Sequence, residues 1–336
     1  MAVSESGGWG TAPAVLVTGA GGFIGSHLVE LLVGRGARVR AFIRYTSRGD
    51  AGWLDRLDPP VRSEVDVYTG DLTNPEAVAG ALAGCDTVLH LGALIPIPYS
   101  YRHPREFVAT NVVGTLNVLE AARKADVRRL VQVSSSEVYG TAQSIPMPEE
   151  HPLHPQSPYA ATKVSADQLA LSYARSFNLP VVVARPFNTF GPRQSTRAVI
   201  PTIITQALTR ERIELGATET TRDFLYVTDT AEGLLRCAEV DGIVGEVFNL
   251  GTGREISIGE VAQRVLDATG KELPVLHAEQ RVRPAGSEVD RLCASVEKAR
   301  ERLGWEASVS FEEGLQTTID WISTSLDLYK STIYNV

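Results

Sequence analysis

The 336-residue chain is predicted to be an α/β protein, with a doubly wound parallel sheet followed by a smaller mixed C-terminal lobe. Short aliphatic runs alternate with amphipathic stretches from Ala14 to Ala184, which indicates βαβ units whose parallel sheet is covered on both faces. The alternation becomes less regular after Pro186. A composition of 43% hydrophobic and 21% charged residues excludes collagen-like, disordered and disulfide-scaffold classes.

The individual elements follow from these runs in chain order. Strands are predicted at residues 15–17, 39–43, 65–68, 88–90, 130–133 and 181–184. The amphipathic stretches between them predict helices at 27–33, 75–82, 105–123 and 159–177. In the second half, short strands at 212–215, 224–227 and 247–250 lie between helices at 199–208, 229–240 and 257–268, so a mixed lobe is expected there.

The charge balance argues against nucleic acid as a partner. There are 40 Asp and Glu residues against 32 Lys and Arg, so no basic field attracts phosphate backbones. No signal peptide is recognisable at the start, and the apolar runs are far shorter than the roughly 20 residues of a membrane crossing. Cys85, Cys237 and Cys293 lack metal-ligand spacing, so we expect no metal site. These features predict a cytoplasmic protein without membrane association.

A glycine-rich segment follows the first strand directly. Gly19, Gly22 and Gly25 precede a helix, and we place Phe23 and Ile24 in the same site. The first glycine permits a positive φ, the second lets the backbone approach a pyrophosphate, and the third lets helix and strand pack closely. The helix N-terminus offers unpaired N–H groups to the phosphates. Strand, glycines and helix together predict dinucleotide binding.

The end of the second strand bears on which dinucleotide is bound. An acid there would receive the ribose hydroxyls of NAD, but Ile43 stands at that position. Arg44 and Ser47 suit the extra phosphate of NADP, which is therefore favoured over NAD, although solvated loop cations are the alternative. Asp71, followed by Leu72 after the third strand, is expected either to bind the adenine amine or to cap a helix.

Tyr159 and Lys163 are the candidate catalytic pair. They lie four residues apart and so share one face of a helix. A nearby Lys cation favours the phenolate, which could remove a hydroxyl proton while a hydride leaves the same carbon. They follow a strand that ends in Ser134-Ser135-Ser136-Glu137. Of these residues, Ser134 is expected to be a cap or backbone partner.

These residues resemble the extended short-chain dehydrogenase/reductases that act on nucleotide sugars, over residues 15 to about 305. The resemblance implies a Rossmann-like fold and a tightly bound, recycled cofactor. It also implies a homodimer paired through helices 105–123 and 159–177. The matching motifs beyond the glycines and the Tyr–Lys pair are Asp71-Leu72, His90-Leu91-Gly92-Ala93, Asn111-Val112-Val113-Gly114-Thr115, Ser135, residues 185–193, Arg222-Asp223-Phe224 and Phe248-Asn249-Leu250-Gly251.

The same resemblance extends the candidate site on both sides of the catalytic pair. Leu91, Ala93 and Asn111 are expected at the cofactor, with Lys163 on the nicotinamide ribose. The cations and amide expected on the diphosphate of the sugar nucleotide are Asn188, Arg193, Arg222 and Arg283.

Glu137 distinguishes the reactions of this family. Ser135-Ser136-Glu137 looks like the strand end of the 4,6-dehydratases, in the form found in GDP-mannose 4,6-dehydratases. Ser136 replaces the Asp of the dTDP-glucose enzymes, so Glu137 would serve twice. It would take the C5 proton after C4 oxidation and pass it to the leaving C6 hydroxyl. With Ser135 on the C4 oxygen, the product would be a 4-keto-6-deoxy sugar.

The substrate and several alternatives stay open at this point. The loop at residues 93–101, with Ile95 and Tyr99, looks like that of dehydratases acting on UDP- or GDP-linked N-acetylglucosamine, although Tyr99 and Tyr101 could equally be packing residues. A UDP-glucuronate decarboxylase is the nearest alternative, but Val164 stands where an Arg usually follows the catalytic Lys. A 4-epimerase is the next alternative, and an NADP-binding sensor or scaffold is the non-enzymatic one.

The domain organisation follows from the motifs. We predict a disordered tail at residues 1–13, a dinucleotide-binding domain with the catalytic residues at 14–185, and a tail at 323–336. Residues 186–322 form mainly a nucleotide-sugar-binding lobe, with some segments returning to the sheet.

Overall fold

The structure is a computed structural model that describes residues 14–329, and its centre is a seven-stranded parallel sheet. In chain order the strands are β1 (Ala14–Thr18), β2 (Arg38–Arg44), β3 (Val65–Gly70), β4 (Thr87–His90), β5 (Arg129–Val133), β6 (Val181–Pro186), β7 (Asn188–Phe190), β8 (Ile213–Leu215), β9 (Thr221–Arg222), β10 (Phe224–Tyr226), β11 (Val247–Leu250), β12 (Ile256–Ser257) and β13 (Val275–His277). The sheet order is β11-β6-β5-β4-β1-β2-β3. This confirms the predicted doubly wound, Rossmann-like class.

Helices cover both faces of that sheet. They are α1 (Phe23–Gly34), α2 (Pro59–Ser63), α3 (Pro75–Leu82), α4 (Ile97–Arg102), α5 (Pro104–Phe107), α6 (Gly114–Lys124), α7 (Pro158–Phe177), α8 (Val199–Thr209), α9 (Val227–Glu239), α10 (Ile258–Thr269) and α11 (Phe311–Thr324). Helices α1 and α9 bury Leu28 and Leu234 in one core, whereas α3, α6 and α7 bury Leu82, Leu119 and Leu171 in the other. Because both faces are buried, strands such as β6 consist almost wholly of aliphatic residues.

A separate core holds the smaller lobe together. Helices α8, α10 and α11 pack with β7, β8 and β10 around buried side chains that include Ile203, Phe190 and Leu315. Strand β11 does not belong to this lobe, because it pairs with β6 and forms one edge of the main sheet. The second half of the chain therefore returns to the sheet, and α9 also packs against the sheet core.

Several elements differ from the sequence prediction. The helix predicted at 105–123 is divided into α5, a π-helical turn at Val108–Val113, and α6. The predicted loop at 93–101 contains the start of α4. The strand predicted at 224–227 ends at Tyr226, because Val227 begins α9. The segment after β2 forms a 3-10 turn at Gly52–Arg56 and the short helix α2.

The two predicted tails mostly lie outside the described residues. Residues 1–13 and 330–336 carry no structural description. The boundary at 323 is wrong by a few residues, since α11 continues to Thr324 and a 3-10 turn follows at Leu326–Leu328. Tyr329 then packs its ring on Trp321, with the ring centroids 5.9 Å apart. Between residues 14 and 329, no helix has the length and apolarity that a membrane crossing requires.

Candidate active site

The glycine-rich turn lies at the carboxyl ends of β1 and β4, where the strand order of the sheet reverses. Such a switch point is where doubly wound sheets bind ligands. Gly19 has a φ of +69°, and a Cβ there would lie 2.9 Å from the Gly92 nitrogen. A Cβ on Gly25 would lie 2.3 Å from the Gly19 carbonyl oxygen. Only residues without side chains can form this tight turn. Its bare backbone lets a ligand such as the pyrophosphate of a dinucleotide approach closely.

The start of α1 presents backbone donors beside this turn. Gly22 is the N-cap without a side-chain hydrogen bond, and no acidic residue occupies the first turn. The positive end of the helix dipole is therefore available to an anion. Phe23 and Ile24, both predicted at the cofactor, also pack against the core of the smaller lobe. They thus connect the cofactor turn with that lobe.

A cavity of about 730 Å³ lies at the ends of β2 and β3, and its lining includes Arg44, Ser47 and Asp71. Asp71 Oδ1 accepts hydrogen bonds from the Thr73 amide at 2.8 Å and the Thr73 hydroxyl at 2.7 Å. These bonds lower the pKa of Asp71. Asn74, not Asp71, caps α3. The three predicted residues are therefore together, in a cavity of a size that suits an adenosine group.

The loop after β4 is fixed by Asn111 from the π-helical turn. Its side chain accepts a hydrogen bond from the Leu94 nitrogen at 2.8 Å. It also donates to the Leu94 carbonyl at 2.9 Å and the Thr162 hydroxyl at 3.0 Å. Asn111, predicted at the cofactor, thus holds the segment that carries Leu91 and Ala93. Leu72 is buried beside this loop, where a Cβ on Gly92 would meet its Cδ1 at 2.8 Å.

The catalytic candidates meet where β5 ends against α7. Lys163 Nζ donates to the Val133 carbonyl at 2.6 Å, and the Ser135 side chain is near enough to the Tyr159 phenol to lower its pKa. The Ser134 side chain neither caps a helix nor bonds the backbone, because its hydroxyl donates to Asp167 Oδ2 at 2.7 Å. The predicted pair therefore does share one helix face, directed at the end of β5.

Burial sets the electrostatics of this pair. Tyr159 and Lys163 are 8% and 4% exposed. Burial raises the pKa of Tyr159 to about 12, against the lowering effect of the Ser135 hydrogen bond. Burial also lowers the pKa of Lys163 to about 8, although the charge of Asp167 opposes this shift. The phenolate of Tyr159 therefore needs a cation nearby, and Lys163 is protonated at neutral pH.

Glu137 lies in a 3-10 turn at Ser136–Tyr139 that begins at the same serine. The Ser135 hydroxyl accepts a hydrogen bond from the Glu137 amide at 3.2 Å and caps this turn. The Glu137 side chain is largely buried, and its negative charge raises the pKa of Tyr159. Ser136 is buried in the same turn. One carboxylate and one phenol thus share Ser135 as a neighbour.

Arg283 and Arg222, from the C-terminal part of the chain, lie near the Glu137 carboxylate. Arg283 Nη1 lies 3.7 Å from Glu137 Oε2, and Arg222 Nη2 lies 3.6 Å from Glu288 Oε1. The charge of Glu137 also acts on buried Arg222, whose pKa is lowered by burial. Within the described chain, the buried Arg283 Nη1 and Asn188 Oδ1 have no hydrogen-bond partner. The Arg283 nitrogen can donate to a phosphate oxygen of a ligand, whereas the Asn188 amide oxygen can only accept a hydrogen bond from a donor.

Arg193 is not placed with these arginines. It has a φ of +70° and ion-pairs with Glu30 of α1 at 2.6 Å, close to Ser26 at 3.2 Å. The predicted diphosphate contact is therefore not supported, because the guanidinium is held at the helix that follows the glycine turn.

The other two residues predicted at the substrate lie near the start of α4. Ile95 is 64% exposed, and the Tyr99 hydroxyl donates to Glu106 at 2.8 Å.

Sequence reasoning missed a buried polar network behind the pair. Asp167 accepts from Arg185 Nε at 3.2 Å, and both side chains are buried. His90 Nδ1 lies 2.7 Å from the Thr18 hydroxyl, and burial lowers its pKa to about 3. The spacing of four residues from Lys163 to Asp167 was a usable signal, since it puts the two on one helix face.

Comparison with known proteins identifies the family. Residues 16–318 match the family model for GDP-mannose 4,6-dehydratase. The chain is 36% identical over 319 residues to the low-salt glycan biosynthesis protein Agl12 of Haloferax volcanii, covering 91% of this chain and 97% of the relative. It is 35% identical over 312 residues to a dTDP-glucose 4,6-dehydratase of Streptomyces antibioticus, covering 91% of each.

A solved structure agrees with these relatives. The dTDP-glucose 4,6-dehydratase DesIV of Streptomyces venezuelae, solved with NAD bound, superimposes with a TM-score of 0.86 at 30% identity. The match covers 94% of this chain and 99% of DesIV. The chain therefore belongs to the GDP-mannose 4,6-dehydratase family, which confirms the family and the enzyme class predicted from its sequence.

Proposed function

We propose that this enzyme is a nucleotide-sugar 4,6-dehydratase acting on a UDP- or GDP-linked hexose or N-acetylhexosamine. The observation that carries the proposal is the position of Glu137, which shares Ser135 with the phenol of Tyr159 and faces Arg283. A base for a ring carbon and a base for a ring hydroxyl thus lie side by side. A diphosphate bound by Arg222 and Arg283 would hold the sugar next to them.

A nicotinamide dinucleotide is the cofactor that the glycine turn and the cavity at Arg44 fit. When bound, it supplies the chemistry of taking a hydride from C4 of the sugar and giving it back at C6. We propose NADP as the preferred form, because Arg44 and Ser47 line the cavity and no acid stands at Ile43. NAD is the alternative, and DesIV was solved with it.

The first proton is handled by Tyr159. Its phenolate takes the C4 hydroxyl proton, with Ser135 donating to the C4 oxygen. Lys163 is held on the Val133 carbonyl, on the same face of α7 as Tyr159. Because the nearby cation favours the phenolate over the phenol, it offsets part of the cost of burying Tyr159.

The second proton is handled by Glu137. The C4 ketone makes the C5 proton acidic, and Glu137 removes it and passes it to the C6 hydroxyl, which leaves as water. Ser136 has no ionisable group for this task, so one carboxylate acts first as base and then as acid. The hydride returned at C6 and a proton taken from solvent at C5 would then complete a 4-keto-6-deoxy sugar, so no added reductant is required.

The alternatives differ in what they ask of these residues. A 4-epimerase needs no carboxylate beside the tyrosine, yet Glu137 is present and largely buried. A UDP-glucuronate decarboxylase would be expected to carry an Arg at Val164. A sensor without chemistry would not need Tyr159 and Lys163 fixed together at one strand end.

We also propose a homodimer. The helical segment from α5 to α6 and helix α7 carry exposed apolar side chains at Val108, Val113 and Phe177. A two-fold axis between two copies would cover such side chains.

The test is a mass-spectrometric screen of UDP-, GDP-, CDP- and dTDP-linked hexoses and N-acetylhexosamines with the purified protein. We expect loss of one water from a UDP- or GDP-linked sugar. Loss of water from the dTDP sugar alone would correct the nucleotide. Loss of carbon dioxide from a uronate, or conversion without a change in mass, would refute the dehydratase. Cofactor binding without any conversion would favour the sensor.

A further inference from the structure

Helix α7 carries a third buried polar side chain on the face that holds Tyr159 and Lys163. Asp167 follows Lys163 by four residues and has 0% exposure. Consecutive residues at the end of β5 meet these side chains: the Val133 carbonyl accepts from Lys163, the Ser134 hydroxyl donates to Asp167, and Ser135 lies beside Tyr159 and lowers its pKa. The carboxylate is therefore fixed on the same backbone segment as the catalytic pair.

A second buried cation shares this carboxylate. Arg185, on β6, is 2% exposed and donates through Nε to Asp167 Oδ2 at 3.2 Å. It also donates through Nη1 to the Tyr139 hydroxyl at 2.8 Å. Asp167 Oδ1 is buried and has no hydrogen-bond partner among the described residues. One carboxylate thus serves two buried cations, Arg185 by contact and Lys163 through its charge.

Buried cations without an anion are costly, and the two cations differ in how they can respond. An arginine keeps its proton in proteins, whereas a buried lysine can lose its own. If Asp167 were neutral, Lys163 and Arg185 would repel each other in a site that excludes water, and Lys163 would be the group to deprotonate. Lys163 is already close to this point, because burial lowers its pKa to about 8.

The other titratable groups around Lys163 do not replace Asp167. His90, on β4, has a pKa of about 3 and is neutral near pH 7. Tyr139 has a pKa of about 12 and is also neutral. Glu137 faces Arg283, and its charge acts on Tyr159 and Arg222. Burial raises the pKa of Asp167, whereas the charges of Arg185 and Lys163 and the Ser134 hydrogen bond oppose this rise. Asp167 is therefore the anion beside Lys163, and these neighbours favour its ionised form.

We propose that Asp167 is a positioning residue that keeps Lys163 protonated, so that the cation stays available to the phenolate of Tyr159. The effect of Asp167 on the protonation of Lys163 is argued from the structure, whereas its consequence for catalysis rests on the proposed function. Arg185 contacts the same carboxylate and favours its ionised form.

The direct test is an NMR titration of Lys163 in protein with isotope-labelled lysines, with its signal assigned by Lys163→Arg. We expect Asp167→Asn to move the titration of Lys163 downward by at least about one pH unit, which is the size of a nearby-charge effect. Ser134→Ala, which removes a hydrogen bond that favours the ionised Asp167, should also move the titration of Lys163 downward, by a smaller amount. The control is Asp229→Asn, which neutralises another buried carboxylate, bonded to Ser308 and Val309, and should leave the titration unchanged.

An unmoved titration in Asp167→Asn, or a matching shift in the control, would overturn the proposal. If Asp167→Asn does not fold, Ser134→Ala decides alone, since an unchanged or raised titration of Lys163 in that variant contradicts the role of Asp167. In protein that turns over a nucleotide sugar, the alkaline limb of kcat should move with the NMR titration. A titration that moves as expected in protein without turnover would support the role of Asp167 and count against the proposed function.

Discussion

Glu137→Gln separates the two proton transfers, because it keeps the size of the side chain and removes its ability to accept a proton. A positioned general base contributes about 10²- to 10⁴-fold. Water elimination should therefore slow by that factor, or by about 3 to 5 kcal/mol in its barrier. C4 oxidation should not slow, because the negative charge of Glu137 raises the pKa of Tyr159 and its loss makes the phenolate easier to form. The lost ion pair with Arg283, whose side chain is a quarter exposed, should reduce stability by no more than about 1 kcal/mol.

The assay mixes the variant with substrate and follows the absorbance of the reduced nicotinamide together with the mass of the sugar. Reduced cofactor should accumulate beside a 4-keto sugar that has kept its C6 hydroxyl. Glu246→Gln is the control, because this partly buried carboxylate pairs with Lys298 and Arg302 and its loss should not cause accumulation. Turnover by Glu137→Gln at the wild-type rate would refute the assignment of the base.

Three further predictions concern the cofactor and the pH dependence. Gly25→Ala should weaken cofactor binding and lower the unfolding free energy by about 1 to 3 kcal/mol, because the new Cβ would lie 2.3 Å from the Gly19 carbonyl oxygen. Cofactor titration measures the first effect and chemical denaturation the second. A variant with unchanged binding and stability would contradict the close packing at Gly25. Arg44→Ala should raise the Kd for NADP roughly 10- to 150-fold and leave that for NAD within about twofold, since a phosphate contact of this kind contributes about 1.5 to 3 kcal/mol; equal effects on both would contradict the NADP preference. The kcat should fall as the pH rises through about 8, because Lys163 then loses the charge that favours the phenolate, and a rate that keeps rising above pH 9 or so would contradict this role.

Local spacing made much of the site predictable. The glycine turn must lie at the end of a strand and the start of a helix, so Gly19 and Gly25 could be placed from sequence alone. Tyr159 and Lys163 share a helix face by their spacing, and the structure directs that face at the end of β5. The alternation of aliphatic and amphipathic segments likewise determined the parallel sheet.

Contacts between distant segments could not be read in the same way. Arg193 follows Pro192 at a positive φ, and this turn directs its guanidinium to Glu30 of α1. The π-helical turn at Val108–Val113 interrupts a segment with helical periodicity. This turn contains no proline, so the sequence does not indicate the interruption. The pairing of Asp167 with Arg185 depends on β6 lying beside β5, which no local pattern encodes.

The most direct test of the proton transfer from C5 to Glu137 is conversion in deuterated solvent, followed by NMR or mass analysis of the product. Removal of the C5 proton by a carboxylate, and later reprotonation from solvent, predicts one deuterium at C5 after complete conversion. The hydrogen delivered to C6 should instead come from C4 of the substrate. A product with no deuterium at C5 would contradict the proposed elimination and the role of Glu137 in it.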